Sequence, residues 1–166
     1  MKVAVISSAN PKVSESLIPV LQEVVSSLQK VKDIVILTGG CLGIPGVIVE
    51  KAQKIGIKTI AYSPDKNGNN HNKRLDNQTL DFFSEVKHYQ GFTMRSLAMI
   101  KDADRILLLN GRIGTLSEFT IALEEGKKVG VITNTGGIAD HASYILQIAN
   151  KEFPNQVFFS DNPKKV

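Results

Sequence analysis

Short β-branched runs recur along this chain, each followed by a turn and then a helical stretch, and that alternation leaves few folds open. The runs Val3–Ser7, Ile34–Thr38, Lys58–Tyr62, Arg105–Leu109, Val129–Thr133 and Gln156–Phe159 are largely apolar, without the in–out alternation of a half-solvated strand. Unbroken apolarity suits parallel strands that are covered on both faces. Between them, Ser14–Gln29, Pro45–Lys54, Phe92–Lys101, Thr115–Glu125 and Ala139–Asn150 read as helices. In the first of these, Leu17, Val20, Leu21, Val24, Val25 and Leu28 follow the three-and-four spacing of a buried helical stripe. Strands alternating with such helices predict βαβ crossovers and an α/β doubly wound parallel sheet between two helical layers.

With 166 residues, of which 42% are hydrophobic and 22% charged, the chain suits one globular domain with a sizeable core. Residues 1–160 are expected to form it, a single nucleotide-binding unit, with 161–166 as a frayed tail. The net charge of +4 comes from scattered lysines, and there is no tryptophan. Without a basic stripe or an aromatic platform, nucleic acid is not an expected partner. Cys41 is the only cysteine, which excludes an intrachain disulfide and fits a reducing, cytoplasmic setting. The run from Val3 to Ile6 is too short for a signal-peptide core. No stretch approaches the ~20 apolar residues that cross a bilayer, so no membrane association is expected.

One segment breaks the rhythm. Asp65–Gln78 holds five asparagines and almost nothing to bury. It follows a strand, where open α/β folds bind ligands, so His71, Lys73 and Arg74 are candidates for a lid, against the simpler reading of a polar surface insertion.

Three strand-to-helix turns carry the candidate chemistry. Ser7 and Ser8 close the first strand, and their hydroxyls suit either phosphate contact or helix capping. The second turn spans Thr38 to Gly46 and includes Gly39, Gly40 and Gly43. Bare backbone amides there can face an anion while the next helix offers about half a positive charge at its start. Pro45 fits the first helical turn, and Cys41 reads as a bystander thiol. The third turn, Asn110-Gly111-Arg112-Ile113-Gly114-Thr115, permits a tight phosphate cradle at Gly111 and Gly114. Thr115 suits both cap and phosphate ligand, and Arg112 adds a cation. Glu118 follows Thr115 at capping-box spacing, so capping and catalysis are both open for it.

Several chemistries are excluded. Neither glycine-rich turn ends in Gly-Lys-Ser/Thr, so a P-loop is absent. The first turn lacks GxGxxG, no His/Cys set has metal-ligand spacing, and there is no nucleophile elbow. Neither a metal nor a resident cofactor is expected.

Gly91-Phe92-Thr93-Met94-Arg95, followed by the Asn110–Glu118 segment, resembles the paired signature of the Lonely Guy (LOG) family, often labelled lysine decarboxylase-like. The Thr38–Gly46 turn and the Ser7–Ser8 region resemble the family's earlier loops, in the same order. The resemblance implies a modified Rossmann fold, usually a homodimer, and hydrolysis of nucleoside 5′-monophosphates to free base and ribose 5-phosphate. It assigns the conserved arginine and glutamate to Arg95 and Glu118, and the phosphate loop to Gly111, Gly114 and Thr115. Three departures stand out: Asn110 replaces the usual proline, Arg112 the second loop glycine, and Ser96 the lysine after the motif arginine. These place the chain nearer to divergent relatives such as molybdenum-cofactor carriers, which implies an alternative role as a non-catalytic carrier of a nucleotide or phosphorylated cofactor. No lysine is marked for a Schiff base, so decarboxylation is not expected.

Overall fold

The computed structural model describes residues 1–66, 83–150 and 152–166. Seven strands form one sheet: β1 (Lys2–Ser7), β2 (Val35–Thr38), β3 (Lys58–Ser63), β4 (Glu85–His88), β5 (Arg105–Leu109), β6 (Lys128–Ile132) and β7 (Val157–Ser160). Five α-helices accompany them among the described residues: α1 (Ile18–Leu28), α2 (Ile44–Lys54), α3 (Gly91–Asp102), α4 (Ile113–Glu124) and α5 (Gly137–Ile148). Every strand pair is parallel, in the order β4-β3-β2-β1-β5-β6-β7. The expected doubly wound α/β sheet is therefore the fold.

Alternate residues of the central strands feed two cores. Val3, Val5, Leu107 and Leu109 pack under α1 and α2 with Leu21, Val24 and Ile48. Ala4, Ile6, Ile106 and Leu108 pack under α3, α4 and α5 with Met99, Ile100 and Phe119. Two buried faces per strand explain the unbroken apolar runs, since each residue from Val3 to Ile6 and from Ile106 to Leu109 has a core to enter.

The edge strand β4 escapes that pattern. Its sequence Glu-Val-Lys-His carries one aliphatic residue and has partly exposed or exposed positions throughout, so no apolar run marks it. Its backbone register on β3, from Ile60↔Glu85 to Ser63↔His88, is what makes it a strand. His71, Lys73 and Arg74, with most of the polar Asp65–Gln78 segment, lie outside the described residues.

The end of the chain differs from the frayed tail expected for 161–166. Pro163–Lys165 forms a 3-10 turn whose Asn162 side chain accepts from the Lys164 amide at 2.9 Å. Pro163 is buried, and the Val166 side chain lies on Gly130. The turn packs against α1, and Val166 against β6.

Strand order reverses between β1 and β5, whose chains leave toward opposite edges of the sheet. That divergence opens a crevice at their carboxyl ends, the usual ligand position in an open α/β sheet. The turns after β1, β2 and β5 all reach it.

Candidate functional site at the strand-order switch

The first turn joins the other two together. The Ile44 amide, at the start of α2, donates to the Ser8 carbonyl at 3.1 Å. The Thr115 hydroxyl, in the first turn of α4, donates to the Ser7 carbonyl at 3.1 Å. The Ser8 hydroxyl accepts from the Asn10 amide at 3.2 Å, a local turn bond. The Ser7 hydroxyl is buried and has no hydrogen-bond partner among the described residues.

The glycines of the second turn serve close approach. A Cβ at Gly43 would come 2.4 Å from the Asn10 carbonyl and 2.7 Å from that of Ser8, so only glycine lets the two turns touch. Gly40 has a positive φ of 60° and its amide donates to the Thr38 hydroxyl at 3.1 Å. With the Ile44 amide spent on Ser8 and Pro45 lacking one, the start of α2 offers few free donors to an anion.

Above Gly39 lies the guanidinium of Arg95, on the second turn of α3. Its Nη1 donates to Glu118 Oε1 at 2.6 Å, joining α3 to α4. The two side chains are only 11% and 9% exposed, so this is a buried ion pair rather than a surface one. The Ser96 hydroxyl donates to the same Oε1 at 2.9 Å. Oε2 accepts no hydrogen bond among the described residues, and Arg95 Nε is buried without a partner. Phe92 stacks against the outer side of the guanidinium, 5.8 Å from ring centroid to Cζ. Burial pushes the Glu118 carboxyl above its ordinary range, and Arg95 and Ser96 pull it back.

The capping alternative for Glu118 is ruled out. Arg112, not Thr115, is the N-cap of α4, and Thr115 is three residues inside. It is the Thr115 hydroxyl that reaches back to the Arg112 amide, at 3.3 Å, so Glu118 lies beyond the first turn and caps nothing.

The third turn is held in shape by Asn110. This residue takes a left-handed φ of 54°, its side-chain oxygen accepts from the Gly111 amide at 2.7 Å, and its side-chain nitrogen donates to the Thr135 carbonyl at 2.6 Å. Its own amide donates to the Thr135 hydroxyl at 2.7 Å. Gly111, at φ 110°, lies against Gly137, where a Cβ would come 2.2 Å from the Gly111 carbonyl. The amides of Gly111 and Arg112 are thus already used. The donors left at the start of α4 are those of Ile113, Gly114 and Thr115, which have no partner within the helix. Gly114 and Arg112 are exposed, and the Thr115 side chain is buried.

Cys41 lies close enough to feel both charges of the pair. Burial pushes its thiol up to about 11, with Arg95 lowering it and Glu118 raising it. The thiol is protonated at neutral pH and is not a nucleophile there. The sequence marked Ser96 only as a departure from the family lysine, and Thr135 not at all. Neither carries a pattern that names its partner; only the fold brings them to Glu118 and Asn110.

No set of three metal-ligating side chains gathers among the described residues, and no described helix is long and apolar enough to cross a membrane.

A parallel Rossmann-like sheet with a buried arginine–glutamate pair and a glycine turn at its switch point defines the class, a LOG-like α/β domain. The chain belongs to the SLOG cluster4 family, whose model matches residues 1–166. No curated protein matches it in sequence. Among solved structures it is similar to TM1055, at 26% identity over 86% of this chain and 80% of that one, with a TM-score of 0.70. The molybdenum cofactor binding protein of the phototrophic bacterium Rippkaea orientalis is 20% identical over 98% of this chain and 90% of that one, with a TM-score of 0.75. DNA processing protein A of Streptococcus pneumoniae is 22% identical over 98% of this chain, with a TM-score of 0.68, and this chain spans 59% of its length. The last two likenesses establish the fold alone.

Proposed function

We propose that the chain is a nucleoside 5′-monophosphate phosphoribohydrolase, which adds water across the N-glycosidic bond to release base and ribose 5-phosphate. The observation that carries this reading is the buried Arg95–Glu118 pair at 2.6 Å beside the start of α4. The amides of Ile113 to Thr115 and the exposed Arg112 would take the phosphate, with the positive end of α4 behind them. Ser7 Oγ and Arg95 Nε, buried and unpartnered, leave two hydrogen-bonding groups for the sugar or base.

Cleavage builds positive charge on the ribose ring as the base departs, and a fixed carboxylate stabilises it. Glu118 holds Oε1 on Arg95 and Ser96, so its position is set before substrate arrives. Oε2 is then the oxygen that faces the anomeric carbon or takes a proton from the attacking water, which adds to that carbon. Burial raises the Glu118 pKa, and the Arg95 charge offsets part of that rise by favouring the ionised carboxylate.

A working dimer fits the same surface. Phe92, Met94 and Ile113 are 57%, 54% and 80% exposed on the two helices that hold the ion pair, an apolar patch suited to a second copy. The setting is cytoplasmic, and nucleic acid is not a partner.

Ser96 carries the second reading. With a serine where the family's enzymes have lysine, the same pocket would hold a nucleotide or a molybdenum-cofactor-like phosphorylated cargo without cleaving it. Incubation with AMP, GMP, CMP and UMP separates the two: free base that is lost in Glu118→Gln supports the hydrolase. Stoichiometric nucleotide binding without release, at high protein concentration, supports the carrier.

A further inference from the structure

At the opposite end of the strands, on the α1 face, lies a cavity of about 510 Å³ that the site above does not use. Among the described residues, the turn at Pro163–Lys165 and Val166 line that face of the sheet beyond β5. The walls are apolar: Val3, Val24, Leu28, Ile132, Phe158 and Val166. The volume is typical of small-molecule sites, roughly 300–1,000 Å³.

Its charged side chains have one sign: Arg105, Lys128, Lys164 and Lys165 line it, and among the described residues no aspartate or glutamate does. Lys164 is paired with Glu23 at 2.9 Å. Arg105 and Lys128 have no carboxylate partner among the described residues, and they are register partners, side by side at the starts of β5 and β6. Like charges directly opposite each other in a sheet are unfavourable, and an anion between them removes the repulsion. A further wall residue leaves a hydrogen bond unmade. Ser26 returns its hydroxyl to the Gln22 carbonyl at 2.9 Å, as helix serines commonly do, whereas the neighbouring Ser27 hydroxyl is buried with no partner among the described residues.

We propose that this cavity is a second binding site, for a small amphipathic anion whose apolar body lies between α1 and the sheet and whose acidic head group sits between Arg105 and Lys128. Sodium decanoate is the probe, below its micellar concentration, with decan-1-ol and decyltrimethylammonium as uncharged and cationic controls. Calorimetric titration should show one decanoate per chain and at least about 10-fold weaker binding of both controls, in keeping with a charge-assisted head-group contact. Arg105→Gln with Lys128→Gln, both on exposed positions, should weaken decanoate by a similar factor and leave nucleotide binding at Glu118 unchanged. Gly130→Leu places a side chain where Val166 now lies, and should abolish binding if the chain stays folded by circular dichroism. Equal binding of decanoate and decyltrimethylammonium, or decanoate binding untouched by the double glutamine variant, overturns the proposal. So does a single-stranded oligothymidylate that binds through Arg105 and Lys128 while decanoate does not, since it would mark the cations as a nucleic-acid contact instead.

Discussion

The Arg95 guanidinium rests on the bare backbone of Gly39, where a Cβ would come 2.5 Å from Nη1 and 2.9 Å from Cζ. A glycine in the β2–α2 turn therefore decides where a cation on α3 lies, and through it where the Glu118 carboxylate on α4 is held.

Gly39→Ala should displace that guanidinium. The added methyl meets the end of a flexible side chain rather than backbone, so the cost to stability should be at the low end of about 1–3 kcal/mol. Base release should fall about 10- to 100-fold, because a carboxylate displaced by a fraction of an ångström loses its alignment. Steady-state rates with the best nucleotide, beside a urea melt, check both; unchanged activity would show that Arg95 does not position Glu118.

Glu118→Gln keeps the shape and removes the charge, and should lower base release by roughly 100- to 10,000-fold. Glu118→Ala also strands the buried Arg95, at a cost of about 3–5 kcal/mol. Ser96→Ala gives the pH test. Ser96 lowers the Glu118 pKa by donating to the ionised form, so its removal raises that pKa further. The acid limb of the pH–rate profile should move to higher pH, with the plateau rate less affected. A limb that stays in place would mean that another group titrates there.

Asp102, at the end of α3, should make the fold acid-sensitive. It accepts from Lys2 Nζ at 2.5 Å and Lys87 Nζ at 2.9 Å, and from the buried Tyr62 hydroxyl. Burial raises its pKa, but these three partners outweigh that and hold the carboxyl well below the usual range. Its folded pKa is lower than its unfolded one, so the stability it contributes is present above about pH 4 and is lost as pH falls below that. Asp102→Asn should cost about 2–3 kcal/mol at pH 7 and flatten the loss between pH 5 and pH 2. Urea melts across that range measure it.

Asn110→Pro restores the residue that resembles the family pattern and should nonetheless destabilise this chain. Proline cannot adopt a φ of 54°, and it has no amide to give to the Thr135 hydroxyl. A loss of about 3 kcal/mol or more is expected, read as a lower thermal midpoint. A neutral or stabilising effect would show that the turn can adopt another backbone path without Asn110.

The sequence determined the fold almost strand by strand. A parallel strand with helices on both sides is buried on both faces, and β1 and β5 state this in the unbroken apolar runs Val3–Ile6 and Ile106–Leu109. β4 was hidden because an edge strand half in solvent needs only backbone pairing. Of the candidate site, the sequence marked Arg95, Glu118 and the glycine turns, which the resemblance picked out. What the chain could not show was who touches whom. Glu118 stood at capping-box spacing from Thr115, and only the structure, with Arg112 as the N-cap of α4, removes the capping role; Ser96 was marked as a departure from the family lysine, but not as a partner of Glu118. Apolar patterning is a local property, written into each segment by the environment it must enter. A contact between Gly39, Arg95 and Glu118 depends on three segments meeting at one point, and only the tertiary structure sets that distance.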